Sequence, residues 1–301
     1  MLQVTPEEVK QKIRQITVWK RGAQRAVHKP LLLLYALGRC VNEGRRLLPY
    51  HDVDRDLREL LLEFGPERKS CHTEYPFWRL QNDGIWQLTN TAEVEPRASN
   101  NDAKKSELLK YAVEGGFTKP VFDVLRHDAA LVTEVAIEVL SQHFPASVFE
   151  DILESVGLEV RFNHSSRRRR DPAFRDRILT AYEFRCAICG YDVRLGSQQL
   201  ALEAAHIKWH QAGGPDTEPN GLALCSMHHK LFDRGAFTIA DDLSFAVSQR
   251  AHGSSGLSEW LMAFHGRPLR KPQSDTYQPS PEFLTWHRRE VFRGPARDTT
   301  N

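Results

Sequence analysis

Two short stretches, Cys186-Ala187-Ile188-Cys189 and Cys225-Ser226-Met227-His228-His229, determine how the second half of this 301-residue chain folds. Each places two metal-binding side chains at an x₂ spacing, which is typical of a tetrahedral zinc site. Four protein ligands leave no open coordination position, so we predict a structural Zn²⁺ held by Cys186, Cys189, Cys225 and His228. A redox-active Cys-x-x-C pair is disfavoured because no strand–helix–strand pattern surrounds it. An x₃ spacing after Cys225 also binds zinc and would select His229 instead of His228.

The sequence between the two ligand pairs carries further polar residues beside apolar runs. His206 ends the run that starts at Leu202, Asn220 precedes the run that leads into Cys225, and His229 follows directly on His228. Histidine, asparagine and histidine in this order, within a C-x₂-C…C-x₂-H scaffold, resemble the HNH (ββα-metal) endonucleases over about residues 171–239.

This resemblance implies a catalytic role for each of the three residues. His206 would be the general base that deprotonates a water molecule attacking the scissile phosphorus, a task that neutral imidazole suits near pH 7. Asn220 would hold the loop backbone and the His206 ring in position. His229 would bind a single Mg²⁺ or another divalent metal ion that stabilises the leaving oxygen.

One position departs from the family pattern. Many members have an aspartate directly before the general base as a second metal ligand, and here that position is Ala205. Glu203 lies two residues earlier, on the same strand face as position 205. Asp233 lies four residues after His229, so a helix would place both on one face. We predict that one of these two carboxylates completes the metal site, with a slight preference for Asp233.

Basic residues are concentrated in two segments, although the net charge is only +2. Residues 10–29 contain seven Lys and Arg and no acidic residue, and residues 161–185 contain eight Arg against three acidic residues. Basic blocks in a chain of balanced charge favour a polyanionic partner, so we expect contact with double-stranded DNA.

The hydrophobic pattern predicts a soluble α+β protein with two domains. We place a mostly helical domain with a small sheet at 1–158, an arginine-rich linker at 159–171 and a zinc-containing nuclease domain at 172–301. Thr5 and Glu8 have capping-box spacing and predict that the first helix begins at Pro6. Further helices are predicted over residues 30–40, 51–64, 103–112, 129–143, 148–155 and 171–182, and from Ser280-Pro281 onward. The aromatic segments 75–80 and 85–88 flank Asp83-Gly84 and predict a β-hairpin.

The first domain resembles the sulfur-binding domain of type IV restriction endonucleases, which recognise phosphorothioated DNA. The resemblance covers about residues 1–155 and rests on the 10–29 basic block, the stretches 28–39, 75–80 and 83–86, and the position ahead of an HNH module. It implies an apolar cup for sulfur formed by Tyr75, Pro76 and Phe77, with basic and amide groups on the flanking DNA. The full set of predicted DNA-binding residues is His28, Lys29, Tyr75, Pro76, Phe77, Arg79, Arg97, Ser99, Asn100, Asn101, Arg167, Arg168, Arg169 and Arg170.

Other features of the sequence exclude some classes of protein and leave some alternatives open. The longest apolar run, Leu31 to Leu37, is far shorter than a membrane-spanning helix, and the N-terminus has no secretory signal pattern, so we expect a cytoplasmic protein.

An HNH site cuts one strand, so a double-strand break favours a homodimer, formed in solution or only on DNA. The alternatives are an HNH endonuclease that acts on methylated or unmodified DNA, and a non-catalytic zinc-containing DNA-binding protein.

Overall fold

The computed structural model describes residues 4–18, 22, 24–160 and 172–298. It divides into two compact units, one formed by Met1–His143 with Phe149–Ser166 and the other by Phe144–Val148 with Arg167–Asn301. Helices and small sheets are both present, which confirms the α+β prediction. Across the described ranges, no helix is both long and apolar enough to cross a membrane.

The N-terminal unit is mainly helical, and its core surrounds the second helix. The helices are α1 (Pro6–Arg14), α2 (His28–Glu43), α3 (Tyr50–Phe64), α4 (Glu74–Arg79), α5 (Lys105–Lys110), α6 (Lys119–His127), α7 (Ala129–His143) and α8 (Phe149–Val156). The predicted capping box is present, since the Thr5 hydroxyl accepts the Glu8 amide and the Glu8 carboxylate accepts the Thr5 amide. Helix α2 is buried from Pro30 to Gly38 and packs against α3, α7 and α8.

A three-stranded antiparallel sheet lies in the same unit. Its strands are β1 (Leu47–Pro49), β2 (Trp86–Thr89) and β3 (Glu114–Phe117), with β3 in the centre. Gly116 is required in β3 because an added Cβ would lie 1.7 Å from the carbonyl oxygen of Arg46.

The hairpin predicted for residues 75–88 is wrong. Glu74–Arg79 form helix α4, a 3₁₀ turn spans Leu80–Asp83, and β2 pairs with β3 instead. Pro76 is compatible with the first turn of a helix, because backbone N–H groups there have no acceptor within the helix and proline lacks only this group. Phe77 and Leu80, three residues apart, are both fully buried, so tertiary packing overrides the strand preference of the aromatic residues.

The C-terminal unit contains a β-hairpin followed by a helix. Its elements are α9 (Pro172–Ala181), β4 (Arg194–Leu195), β5 (Gln198–Gln199), β6 (Leu202–His206), β7 (Gly221–Cys225), α10 (Ser226–Asp233), β8 (Phe237–Ile239), β9 (Phe245–Val247), α11 (Ser255–Trp260) and α12 (Pro281–Glu290). Strands β6 and β7 are antiparallel, with His206 opposite Gly221. Helix α9 packs so closely on β7 that a Cβ at Gly221 would lie 2.2 Å from the Ile178 side chain.

Candidate functional site

The two predicted ligand pairs lie together in the C-terminal unit. One ligand atom each from Cys186, Cys189, Cys225 and His228 lies within 4.8 Å of all the others. Nδ1 of His228 is 3.2 Å from the Cys225 sulfur and 3.8 Å from the Cys186 sulfur. Among the described residues this is the one group of three or more His, Cys, Asp and Glu side chains that could hold a metal ion. Three thiols and one imidazole fit Zn²⁺.

The surroundings of His228 orient its ring for metal binding. Its Nε2–H donates to the carbonyl oxygen of Trp260 at 2.9 Å, which leaves Nδ1 facing the sulfurs, the usual arrangement for a metal-binding histidine. Hydrogen bonds with Cys189 and Cys225 lower the pKa of the Cys186 thiol, while the same contacts raise the pKa of Cys225, so the two cysteines share their protons. A bound metal ion would favour the thiolate form of both. The x₂ spacing is therefore the one whose ligand atoms converge, and His229 lies outside the cluster.

His206 ends β6 with its ring held on two sides. The Phe174 ring stacks on it at a centroid distance of 4.2 Å and an interplanar angle of 18°. Nε2 of His206 lies 2.7 Å from Oδ1 of Asp216, in the loop between β6 and β7. The His206 side chain is 12% exposed, so it remains accessible from one side.

Asn220 holds the backbone of the loop that follows His206. Its Oδ1 accepts the Lys208 amide at 2.8 Å, and its Nδ2 donates to the carbonyls of Lys208 and Pro215 at 3.0 and 2.9 Å. Asn220 itself is fully buried. This geometry agrees with the predicted role of Asn220 in holding the loop backbone. The ring of His206, however, is held by Phe174 and Asp216 through the contacts described above.

His229 lies between the two carboxylates that the sequence offered as metal ligands. Its Nδ1 is 2.6 Å from Oε2 of Glu203, and its Nε2 is 3.2 Å from Oδ2 of Asp233. Burial opposes protonation of His229, but the Asp233 and Glu203 carboxylates outweigh it and raise the pKa of His229 to about 9. Asp233 also accepts hydrogen bonds from Trp209 Nε1 at 2.9 Å and from the Ser147 hydroxyl.

These two carboxylates differ in accessibility. The Asp233 side chain is 2% exposed, whereas that of Glu203 is 46% exposed. Glu203 and Asp233 lie at opposite nitrogens of the His229 ring, so the two carboxylates do not converge on one ion. Imidazole and carboxylate oxygens are suitable ligands for a divalent metal ion, so His229 with one of these carboxylates forms a donor pair that fits the predicted catalytic metal.

In the N-terminal unit, Tyr75 is the centre of a cluster of cationic and aromatic side chains. The guanidinium carbons of Arg79 and Arg97 lie 5.0 and 5.6 Å from its ring centroid, and the His72 ring stacks on it at 4.8 Å. Asp102 accepts two hydrogen bonds from Arg79, at 2.6 and 2.5 Å. Three predicted DNA-binding residues, Tyr75, Arg79 and Arg97, are thus brought together and remain partly exposed.

The other predicted DNA-binding residues have different surroundings. Phe77 is fully buried between Tyr50 and Trp86 and therefore belongs to the core, so the expectation that it lines a surface cup is corrected. Pro76 is likewise buried, and Lys29 is 12% exposed and paired with Asp83 at 2.5 Å.

Burial, together with nearby Arg68 and His72, lowers the pKa of His28 to about 4. Ser99, Asn100 and Asn101 are exposed in the turn between Arg97 and Asp102. Arg167 to Arg170 lie outside the described residues.

Comparison with protein families identifies both units. The family model of the ScoMcrA-like DNA sulfur-binding domain matches residues 6–161, more than half of the chain. The chain belongs to this family. An HNH endonuclease model matches residues 186–240, which include the metal cluster, His206, Asn220 and His229. This member of the sulfur-binding family therefore also carries an HNH endonuclease domain.

Several solved structures are similar to this family member. The sulfur-binding domain of ScoMcrA complexed with phosphorothioated DNA has 22% identity and a TM-score of 0.45, covering 50% of this chain and 94% of that one. The corresponding SprMcrA complex has 24% identity and a TM-score of 0.45, covering 51% and 94%. The type IV phosphorothioation-dependent restriction endonuclease ScoMcrA has 22% identity and a TM-score of 0.41, covering 50% of this chain but 27% of that enzyme. A comparison with curated proteins gave no match.

The sequence did not reveal four residues that position functional side chains in this family member. Asp216 and Phe174 hold His206, while Asp102 and Glu74 approach Arg79 and Arg97. Asp216 and Asp102 lie in irregular segments where no periodicity marks an inward-facing side chain. The sequence offered only a weaker signal for these two aspartates. Each lies within a dozen residues of a predicted site residue that can carry a positive charge, Asp216 after His206 and Asp102 after Arg97.

Proposed function

We propose that this protein is an endonuclease that binds phosphorothioated DNA through its N-terminal unit and hydrolyses DNA through its HNH unit. The observation that carries the proposal is the occurrence of both family matches in one chain, with the HNH residues converging on the β6–β7 hairpin and α10. The enzyme would act in the cytoplasm, where it meets DNA.

The cluster around Tyr75 is the part of the N-terminal unit that we assign to reading the modification. Sulfur is larger than oxygen and accepts hydrogen bonds more weakly, so an aromatic ring face can accommodate it at a lower desolvation cost. Arg79 and Arg97, beside that ring, would contact the neighbouring phosphates. These contacts supply affinity, whereas the environment of the sulfur supplies the preference.

In the HNH unit we assign proton abstraction to His206 and metal binding to His229 with Glu203. A bound divalent metal would neutralise charge on the phosphate and stabilise the leaving 3′-oxygen. Glu203 is preferred because its carboxylate is more exposed and lies at Nδ1 of His229. Asp233, which is buried at Nε2 and accepts from Trp209, instead fits the carboxylate that orients a metal-binding histidine.

The Cys186–Cys189–Cys225–His228 cluster is assigned to a structural zinc ion. It joins the segment after α9 to the end of β7 and the first turn of α10, so the ion would stabilise the ββα unit that carries the catalytic residues. One HNH site hydrolyses one strand, so a double-strand break requires two copies, supplied most simply by a two-fold homodimer.

Competition binding with the full-length His206→Ala variant tests the reading function. Two duplexes of identical sequence are compared, one with a single phosphorothioate and the other without. We expect a preference of about 5- to 150-fold for the sulfur-bearing duplex, corresponding to ~1–3 kcal/mol for one unsatisfied polar group.

A Tyr75→Ala change in the same background should reduce this preference while backbone binding persists. Tyr111→Ala is the matched control, because the Tyr111 hydroxyl contacts Lys110 outside the cluster. Equal affinity for both duplexes would contradict the assignment, and preference for a methylated duplex would replace it.

A further inference from the structure

The ring of His206 is fixed at its face and at its edge. Phe174, from α9, covers one face in a near-parallel stack, and the Asp216 carboxylate contacts Nε2 at 2.7 Å. A single hydrogen bond leaves a ring free to rotate about the bond, whereas a stack together with an edge contact defines its plane. The orientation of this imidazole is therefore specified by residues outside the histidine–asparagine–histidine motif.

Asp216 is itself held by the backbone around it. Its carbonyl oxygen accepts a hydrogen bond from Arg177 Nη2 at 2.7 Å. The preceding carbonyl, of Pro215, accepts from the buried Asn220 side chain at 2.9 Å. The carboxylate thus projects from a segment that is fixed on both sides, although the segment is neither helix nor strand.

We propose that Asp216 is a positioning residue for catalysis, which orients His206 and selects its reactive tautomer. This inference rests on the proposed nuclease function. With Nε2–H donating to Asp216, the neutral ring carries its lone pair on Nδ1, because the hydrogen bond at one nitrogen sets the protonation of the other.

This tautomer determines which nitrogen of His206 takes the proton of the attacking water. An O–H bond of water breaks and its proton passes to Nδ1 of His206, while the water oxygen forms a bond to phosphorus. The P–O3′ bond breaks, and the leaving oxygen takes a proton from solvent. The Asp216 carboxylate stabilises the imidazolium while it exists, as the aspartate of a Ser-His-Asp triad does.

A double-mutant cycle tests this role in the full-length protein with Mg²⁺ and phosphorothioated duplex. Single-turnover cleavage is measured for wild type, Asp216→Ala, His206→Ala and the double variant. We expect Asp216→Ala to slow wild type by about 10-fold or more, a part of the ~10²- to 10⁴-fold that a general base contributes. In the His206→Ala background the same change should have no further effect, because Asp216 acts only through the imidazole.

The controls separate positioning from loss of structure. Asp241→Asn, in the same unit, should cleave at the wild-type rate because its exposed carboxylate pairs with Arg288 of α12 and not with Arg177, which holds the backbone of Asp216. Asp216→Asn is the second variant if the alanine form folds poorly, since it preserves volume and an acceptor but removes the charge. An equal loss from Asp216→Ala in both backgrounds, or no loss in wild type, would overturn the positioning role. Wild-type cleavage by His206→Ala would overturn the proposed general base as well, so the two failures are distinguishable.

Discussion

Replacing Asn220 by alanine should destabilise the loop that follows His206, the proposed general base. The side chain makes three hydrogen bonds, to the amide and carbonyl of Lys208 and to the carbonyl of Pro215, and it is fully buried. At roughly 0.5–1.5 kcal/mol net for each bond, we expect the free energy of unfolding of the C-terminal unit to fall by about 3 kcal/mol. Cleavage should fall by about 100-fold, because the same loop carries Asp216 and small displacements of a catalytic group have effects of that size.

Two measurements report on this loss. Urea unfolding gives the change in free energy, and native-state hydrogen exchange reports directly on the Lys208 amide, which donates to Asn220. Asn220→Asp should be no milder than alanine, although it has the same shape, because an oxygen would then face the Lys208 and Pro215 carbonyls.

The matched control is Lys208→Ala, which preserves the backbone atoms that Asn220 contacts and should leave stability unchanged. A change of less than about 0.5 kcal/mol for Asn220→Ala, with the Lys208 amide still protected, would refute this reasoning.

Three further predictions concern zinc, acid stability and the catalytic metal. Cys186→Ser should abolish zinc binding and lower the unfolding temperature of the C-terminal unit. Cys71→Ser, outside the cluster, should change neither quantity. Full thermal stability of the Cys186→Ser variant without zinc would contradict the structural role of the ion. Because the pKa of His28 falls from 6.5 to about 4 on folding, its neutral form is favoured in the folded state, and stability should decline as pH falls through 6.5. Between about pH 7.5 and about pH 5 the N-terminal unit should lose roughly 2 kcal/mol, measured by urea unfolding, and a His28→Gln variant that showed the same loss would refute this assignment. Glu203→Ala should weaken Mn²⁺ binding in a direct titration and Glu259→Ala should not; equal binding by both would exclude Glu203 as a ligand.

Local sequence signals predicted most helices and the metal cluster. The capping box of Thr5 and Glu8 marked the start of α1, and the apolar periodicity of residues 129–143 gave the bounds of α7. The cysteine pairs gave the cluster because ligand spacing is a local property that survives any tertiary arrangement. Helix periodicity placed Asp233 on the face of His229, and strand alternation placed Glu203 on the face of Ala205. That Glu203 belongs to the same site as His229 was implied by the family resemblance, and the structure brings the two side chains to 2.6 Å.

Residues whose role depends on tertiary structure were missed or misplaced. The segment Tyr75–Leu80 has the composition of a strand, yet it is helical because Phe77 and Leu80 must reach the core on one face. Asp216 is ten residues from His206, and its contact depends on how an irregular loop returns past the strand. Spacing along the chain carries no information on such a return, so the contact between Asp216 and His206 could be found only from the structure.

Cleavage of two matched duplexes by the full-length protein, with Mg²⁺ present, tests phosphorothioate-dependent hydrolysis most directly. One duplex carries a single phosphorothioate and the other has the same sequence with ordinary phosphate. We predict that wild type, at subsaturating protein, cuts the sulfur-bearing duplex about 5- to 150-fold faster than the unmodified one. The His206→Ala variant should cut it about 10²- to 10⁴-fold more slowly than wild type, with its zinc content unchanged. Equal cleavage of both duplexes would contradict modification-dependent reading, and cleavage by His206→Ala at the wild-type rate would contradict the HNH mechanism.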